Sequence, residues 1–250
     1  MKIIPLSAGS FTVDGTKKFI PFDDRRDDLK ERPKGSILVE VQPFAIITSK
    51  DILVLDTGLG FTNPDGTLQI HQNLIDAGIN PLDVTKVLMS HLHKDHAGGV
   101  SKEDAILQKR FLSFPNATYY VNRQELEIAV SKLSRSYVME DVTALTETDK
   151  LQLIESTGDI DGYIHYEWTG AHSPWHQAFW IKEENETVFF GGDVAPQLMQ
   201  MKTKFVTKYD FDGKLAADLR MKWWQQGHEE GWTFLFYHDI KTPVYKAVTH

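Results

Sequence analysis

Residues 84–99 read VTKVLMSHLHKDHAGG, and this stretch decides the fold. Val84–Met89 reads as a buried strand that runs straight into three imidazoles and a carboxylate: His91, His93, Asp95 and His96. In a locally extended loop, side chains two apart point the same way, so His91 and His93 can reach one ion together. Asp95 and His96 lie one turn further on, where Ala97, Gly98 and Gly99 let the chain bend closely. Leu92 and Lys94 are then expected to point away from the ions. Imidazole with carboxylate and no sulfur suits zinc, iron, manganese or nickel and does not choose among them.

Working outward, three further polar groups stand at or beyond the ends of strand-like runs. His172 lies in TGAHSPWH (169–176), Asp193 ends FFGGD (189–193), and His238 follows FLFY (234–237). Loops at strand ends are where a rigid scaffold displays functional side chains. Taken with the first cluster, these complete five imidazoles and two carboxylates, enough for two ions. In this reading His91, His93 and His172 hold the first ion. Asp95, His96 and His238 hold the second, and Asp193 bridges them.

The rest of the chain is consistent with an enzyme-sized domain, and we read residues 1–250 as one. It has 250 residues, 41% of them hydrophobic, so intrinsic disorder is excluded. The absence of cysteine excludes a disulfide scaffold, thiolate nucleophiles and thiolate-bound zinc. A formal charge of −8 argues against nucleic acid, which needs a basic face. The N-terminal apolar run is broken at Pro5, so it reads as a first strand rather than a secretory signal. No window reaches the roughly 18 apolar residues of a membrane-spanning helix. We therefore expect a cytoplasmic protein without a membrane partner; a homodimer is compatible with the composition. Strands are expected at 2–6, 37–41, 45–48, 52–55, 84–89, 151–154, 164–168, 178–181, 188–190 and 233–237, and an exposed charged loop at 23–34. Helices are expected at 68–77, closed by Gly78, at 122–130, opened by Asn122, and at 215–226. Strands outnumber helices, which points to two sheet layers inside and helices outside.

At this point the sequence resembles the metallo-β-lactamase-fold hydrolase superfamily. The matching stretches are LDTG (55–58), SHLHKDHAGG (90–99), TGAHSPWHQ (169–177), FFGGDV (189–194) and FYHD (236–239), in the family's order. The resemblance implies an α+β fold, a four-layer αβ/βα sandwich with a dinuclear site at the rim of its two sheets. It also implies the ligand roles given above, with zinc the first choice of metal. Asp56 would support the metal loop from behind, and His176 would be a supporting residue rather than a ligand. The activity implied is hydrolysis of an ester, lactone, thioester or phosphoester bond of a small molecule by a bridging hydroxide, with Asp95 taking the proton.

Departures from the family pattern narrow this. One class of true β-lactamases uses a cysteine ligand, and another lacks the bridging aspartate; both points argue against antibiotic hydrolysis. Members that open homoserine lactones often carry a tyrosine three residues after that aspartate, where this chain has Pro196. Trp175 stands where the usual motif has a small residue and is expected to shape the pocket, together with Phe61, Tyr137 and Met199. Phe205 and Tyr209 are further apolar candidates, and Lys202, Lys204 and Lys208 could meet a substrate carboxylate. Trp223 and Trp224 are read as helix packing. The rival readings are a nuclease of the same fold and a non-catalytic metal-binding relative.

Overall fold

A computed structural model describes residues 1–131 and 134–248. Its framework is two six-stranded mixed sheets. The first runs in the order Lys2–Pro5, Phe44–Ile47, Ile52–Leu55, Lys86–Leu88, Thr118–Asn122, Leu151–Ile154. The second is sequential: Thr157–Ile160, Ile164–Trp168, Gln177–Glu183, Glu186–Phe190, Thr233–Leu235, Val244–Lys246. The expected strands are present with ends shifted by a few residues.

Alternation along these strands builds the layers, because successive side chains leave a sheet on opposite faces. Phe44, Ile46, Leu53 and Leu55 point inward and meet Phe179, Ile181, Val188, Phe190 and Leu235 of the second sheet. Their neighbours Ala45, Val54 and Val87 point outward and pack with Ile70 and Leu74 of helix Gln69–Asp76 and Leu126 and Ala129 of helix Arg123–Val130. On the far side, Ala178, Trp180, Phe189 and Phe234 pack with Ala216 and Trp223 of helix Gly213–Glu230. The result is the helix–sheet–sheet–helix sandwich that the sequence led us to expect. Trp223 is buried in that outer core, while Trp224 stacks on Tyr245, so both tryptophans serve packing.

Local signals account for the helix ends. The Asn122 side chain accepts from the backbone N–H groups of Gln124 and Glu125, capping the helix it precedes. Gly78, with φ +80°, closes the helix ending at Asp76 in the left-handed conformation that glycine adopts without steric cost.

A further sheet was not foreseen. Gly9–Val13 pairs with both Phe19–Pro21 and Ile37–Val41 as a three-stranded sheet. The Asp14-Gly15 pair between its first two strands is a hairpin signal that the sequence did offer. The hairpin matters because it forms one wall of the functional cavity.

Candidate active site

The seven proposed donors come from strand ends on both sheets and meet at one rim of the sandwich. Lys86–Leu88 leads to His91, Ile164–Trp168 to His172, Glu186–Phe190 to Asp193 and Thr233–Leu235 to His238. After His93 the chain enters a single helical turn, Lys94–Ala97, which carries Asp95 and His96. Close packing of backbone makes this turn possible. A Cβ on Gly99 would lie 2.2 Å from the Thr57 carbonyl oxygen, so only glycine fits there.

Two groups of three donors result. One donor atom each from His91, His93 and His172 lie within 4.8 Å of one another, and so do those of Asp95, His96 and His238. Asp193 stands between the groups. Its Oδ1 is 3.1 Å from His96 Nε2 and 3.0 Å from His238 Nε2, while its Oδ2 is 3.2 Å from His172 Nε2. His91 Nε2, His96 Nε2 and Asp193 Oδ1 are buried and have no hydrogen-bond partner. Buried lone pairs are normally satisfied, and here they belong to imidazole and carboxylate groups clustered together. That donor set fits divalent transition-metal ions, so these residues form His/Asp clusters able to bind metal.

The far nitrogens of the imidazoles are held as a metal site requires. His96 Nδ1 donates to Asp56 Oδ2 at 2.7 Å, His172 Nδ1 to Asp210 Oδ1 at 2.9 Å, and His238 Nδ1 to the Glu40 carbonyl at 2.6 Å. Each bond fixes a tautomer with its Nε2 lone pair aimed at the site. Asp56 is fully buried and also accepts from Ser90 N at 2.7 Å and Ser90 Oγ at 2.6 Å. His176 accepts from the Asp193 N–H at 3.1 Å through Nε2, so it orients the central carboxylate's backbone.

Electrostatics follow from burial and charge. Burial holds His91, His93 and His176 well below the usual histidine range, so these rings are neutral. Burial also acts against the charged forms of His96 and His238, but the Asp193 and Asp95 carboxylates outweigh it and raise both. Burial would raise Asp193, yet His238, His96 and His172 hold it well below the usual carboxylate range. His91 and His93 as neutral imidazoles and Asp193 as a carboxylate are in the forms that bind divalent cations.

Several supporting residues went unnoticed in the sequence. Asp210 buttresses His172 from 38 residues away. The buried Glu125 accepts from the Leu92 N–H, the Tyr137 hydroxyl and the Ser173 hydroxyl, tying the metal loop to the His172 loop. Tyr237 stacks on His96 at 4.0 Å and donates to the Asp95 carbonyl. No local pattern marks Glu125 or Asp210 as a support of the site. Substituting Asp210 with alanine is expected to lower metal affinity by about 10–100-fold, because His172 loses its tautomer lock. Titration with a metal-sensitive chelator checks this, and unchanged affinity would remove Asp210 from the site.

A cavity of about 360 Å³ opens over the donors and is lined by His93, Asp95, His172, Asp193 and His238. Its walls are only partly those the sequence led us to expect: Phe205 and Tyr209 line it. Phe61 packs on Phe11, Trp175 stacks on Trp168, Met199 lies 64% exposed, and none of the three borders the cavity. Tyr137 sits behind His93 with its ring edge-on, its hydroxyl directed to Glu125. The wall is built instead by Val13, Phe19, Ile37, Leu38 and Val39 of the N-terminal sheet, with Phe205 and Tyr209 opposite. Lys202 lies over Trp224 and Tyr245, and Lys202, Lys204 and Lys208 are not part of the lining. The lining lysines are Lys17 and Lys94; Lys94 borders the cavity with its Nζ directed to the Lys17 carbonyl, and Leu92 turns into the outer core.

Comparisons with known proteins agree with this architecture. The sequence model of the metallo-beta-lactamase superfamily matches residues 38–236. An N-acyl homoserine lactonase of Azorhizobium caulinodans, AttM, is 30% identical over 116 residues, which are 42% of this chain and 38% of that protein. The match thus spans well under half the length of that curated relative. A probable metal-dependent hydrolase from Staphylococcus aureus superposes with a TM-score of 0.78 at 23% identity, covering 98% of this chain and 91% of the other. AidC, a dizinc quorum-quenching lactonase in complex with a product, superposes with a TM-score of 0.72 at 18% identity, covering 99% and 90%. No helix among the described residues is long and apolar enough to cross a membrane. On the match to the family model over most of its length, this chain belongs to the metallo-beta-lactamase superfamily.

Proposed function

We propose that the chain is a hydrolase of small-molecule lactones or esters that works with two divalent metal ions, zinc first among them. His91, His93 and His172 would hold one ion, Asp95, His96 and His238 the other, with Asp193 placed to serve both. The observation that carries this reading is the placement of the two Asp193 oxygens, one against His96 and His238 and the other against His172. Bound there, the ions would supply Lewis acidity toward a carbonyl oxygen and an acidified water.

The chain's own residues do the rest. Asp95 Oδ2 lies 3.6 Å from His238 Nε2 and 3.7 Å from His96 Nε2, at the cavity floor, where it can take up a proton from the attacking water. The apolar wall of Val13, Ile37 and Val39 excludes bulk water from one side and accommodates an apolar substrate moiety. A carbonyl substrate is preferred because the curated relatives are lactonases and the cavity suits a small molecule. The donors span residues 91–238, so we take residues 1–250 to act as one catalytic unit. The acidic net charge continues to disfavour the nuclease alternative.

A panel of lactones, aryl esters, thioesters, phosphotriesters and phosphodiesters, run on metal-analysed protein, tests the proposal. The expected result is turnover of lactones or esters that a chelator abolishes and zinc, iron or manganese restores. Protein holding two metal equivalents that turns over no carbonyl substrate would overturn it.

A further inference from the structure

The cavity lining holds more than metal donors and apolar residues. Beyond the metal-binding floor and the apolar wall, Lys17 and Lys94 border the same space with Ser136 between them. The lysines come from separate parts of the chain and are held in place. Lys17 sits at the end of the Asp14–Lys17 turn, where its N–H donates to the Asp14 carbonyl at 3.0 Å. Its φ of +58° is a left-handed conformation that a residue with a Cβ adopts only at some cost. Its Nζ donates to Ser136 Oγ at 2.6 Å, 119 residues away. Lys94 lies inside the metal loop, its backbone N–H donating to the Ser136 carbonyl at 2.8 Å. Its Nζ donates to the Lys17 carbonyl and lies 5.6 Å from the centre of the Phe19 ring.

These contacts leave both ammonium groups without a direct carboxylate partner, although the Asp95 carboxylate acts on Lys94 from a distance. An ammonium group has three donors, and each lysine spends one on a neutral oxygen. Among the described residues neither ammonium forms an ion pair with a carboxylate. Asp14 also borders the cavity, but its Oδ1 is turned into its own turn, accepting from Thr16 N at 2.8 Å and Thr16 Oγ1 at 2.6 Å. Two half-buried ammonium groups side by side repel one another and are costly to hold without a counter-charge. Their occurrence in a chain with a net charge of −8 makes general surface basicity a poor explanation.

We propose that Lys17 and Lys94, with the Ser136 hydroxyl, form an anion-recognising end of the cavity, so that the preferred substrate carries a carboxylate on the moiety remote from the bond being cleaved. The Ser136 hydroxyl can donate to that carboxylate while accepting from Lys17. The inference rests on the hydrolase reading above and adds the class of substrate: a lactone or ester with an acidic tail, bound by ammonium groups at one end and by the metal floor at the other.

The test compares the 4-nitrophenyl hemi-ester of glutaric acid with the 4-nitrophenyl ester of pentanoic acid, of equal chain length but without the charge. Wild-type protein with its metals is expected to favour the hemi-ester in kcat/KM, and added salt should erode that preference. Lys17→Met and Lys94→Met should each lower the preference by about tenfold, mainly through KM of the hemi-ester, and Lys→Arg at either position should restore it. Equal use of the two esters, or a preference that survives both Met substitutions, would overturn the proposal. If neither ester is cleaved, the hydrolase reading fails on these substrates, and calorimetric titration of the metal-loaded protein with glutarate reads the subsite separately. Affinity that falls about tenfold in the Met variants and returns in the Arg variants supports it. No binding, or binding indifferent to both lysines, sinks it.

Discussion

Asp193→Ala is expected to lower kcat/KM on any lactone or ester that the chain hydrolyses by at least about a thousandfold. Bound metal should fall from two equivalents to one or fewer. The carboxylate reaches both donor clusters, with Oδ1 3.0 Å from His238 Nε2 and Oδ2 3.2 Å from His172 Nε2. Removing it would take away the element that fixes the spacing of the two ions and leave the Nε2 atoms of His96 and His238 without the carboxylate nearest to them. The fold should survive, because the backbone contact from the Asp193 N–H to His176 Nε2 remains and the side chain contributes no core packing. Metal analysis and thermal unfolding, measured together with turnover, separate these effects. A variant that keeps two metals and full turnover would remove Asp193 from the centre of the mechanism.

Asp56→Ala should produce the largest loss of stability among the site substitutions, about 3–5 kcal/mol. The carboxylate is fully buried and accepts three hydrogen bonds, from Ser90 N, Ser90 Oγ and His96 Nδ1. Alanine leaves the two donors that cannot reorient, Ser90 N and His96 Nδ1, inside protein with no acceptor. It must also adopt the φ of +53° found at Asp56, a region that Asp and Asn tolerate better than other residues with a Cβ. Asp56→Asn keeps the shape and the backbone preference but sets an amide against donors, so it should fall between wild type and alanine. Urea unfolding of the three proteins gives the ranking, and metal content should follow it because His96 loses its tautomer lock. Equal stability of wild type and Asp56→Ala would contradict the proposed network.

Much of this was legible in the sequence, for identifiable reasons. The run from Val84 to Gly99 places donors on a loop immediately after a buried strand, so a local spacing carries the chemistry. His172, Asp193 and His238 follow strand-like runs, and the layered core was readable because alternating residues such as Phe179, Trp180 and Ile181 face opposite sides of a sheet. The pocket was not readable in the same way. Trp175 and Met199 are adjacent in sequence to ligand motifs yet face elsewhere, since being near a donor in sequence does not set the direction of a side chain.

The amino-acid sequence by itself determined the helix–sheet–sheet–helix plan and a donor set rich enough for two ions, because periodicity and close spacing are properties of a few neighbouring residues. Only the tertiary structure decided which residues enclose the substrate space. The Asp210 buttress and the Lys17–Lys94 pair join residues 38 and 77 apart, and the wall of Val13, Phe19 and Val39 stands over donors that begin more than 50 residues further along the chain. Contacts over such separations arise from how sheets and loops pack, and no local pattern encodes them.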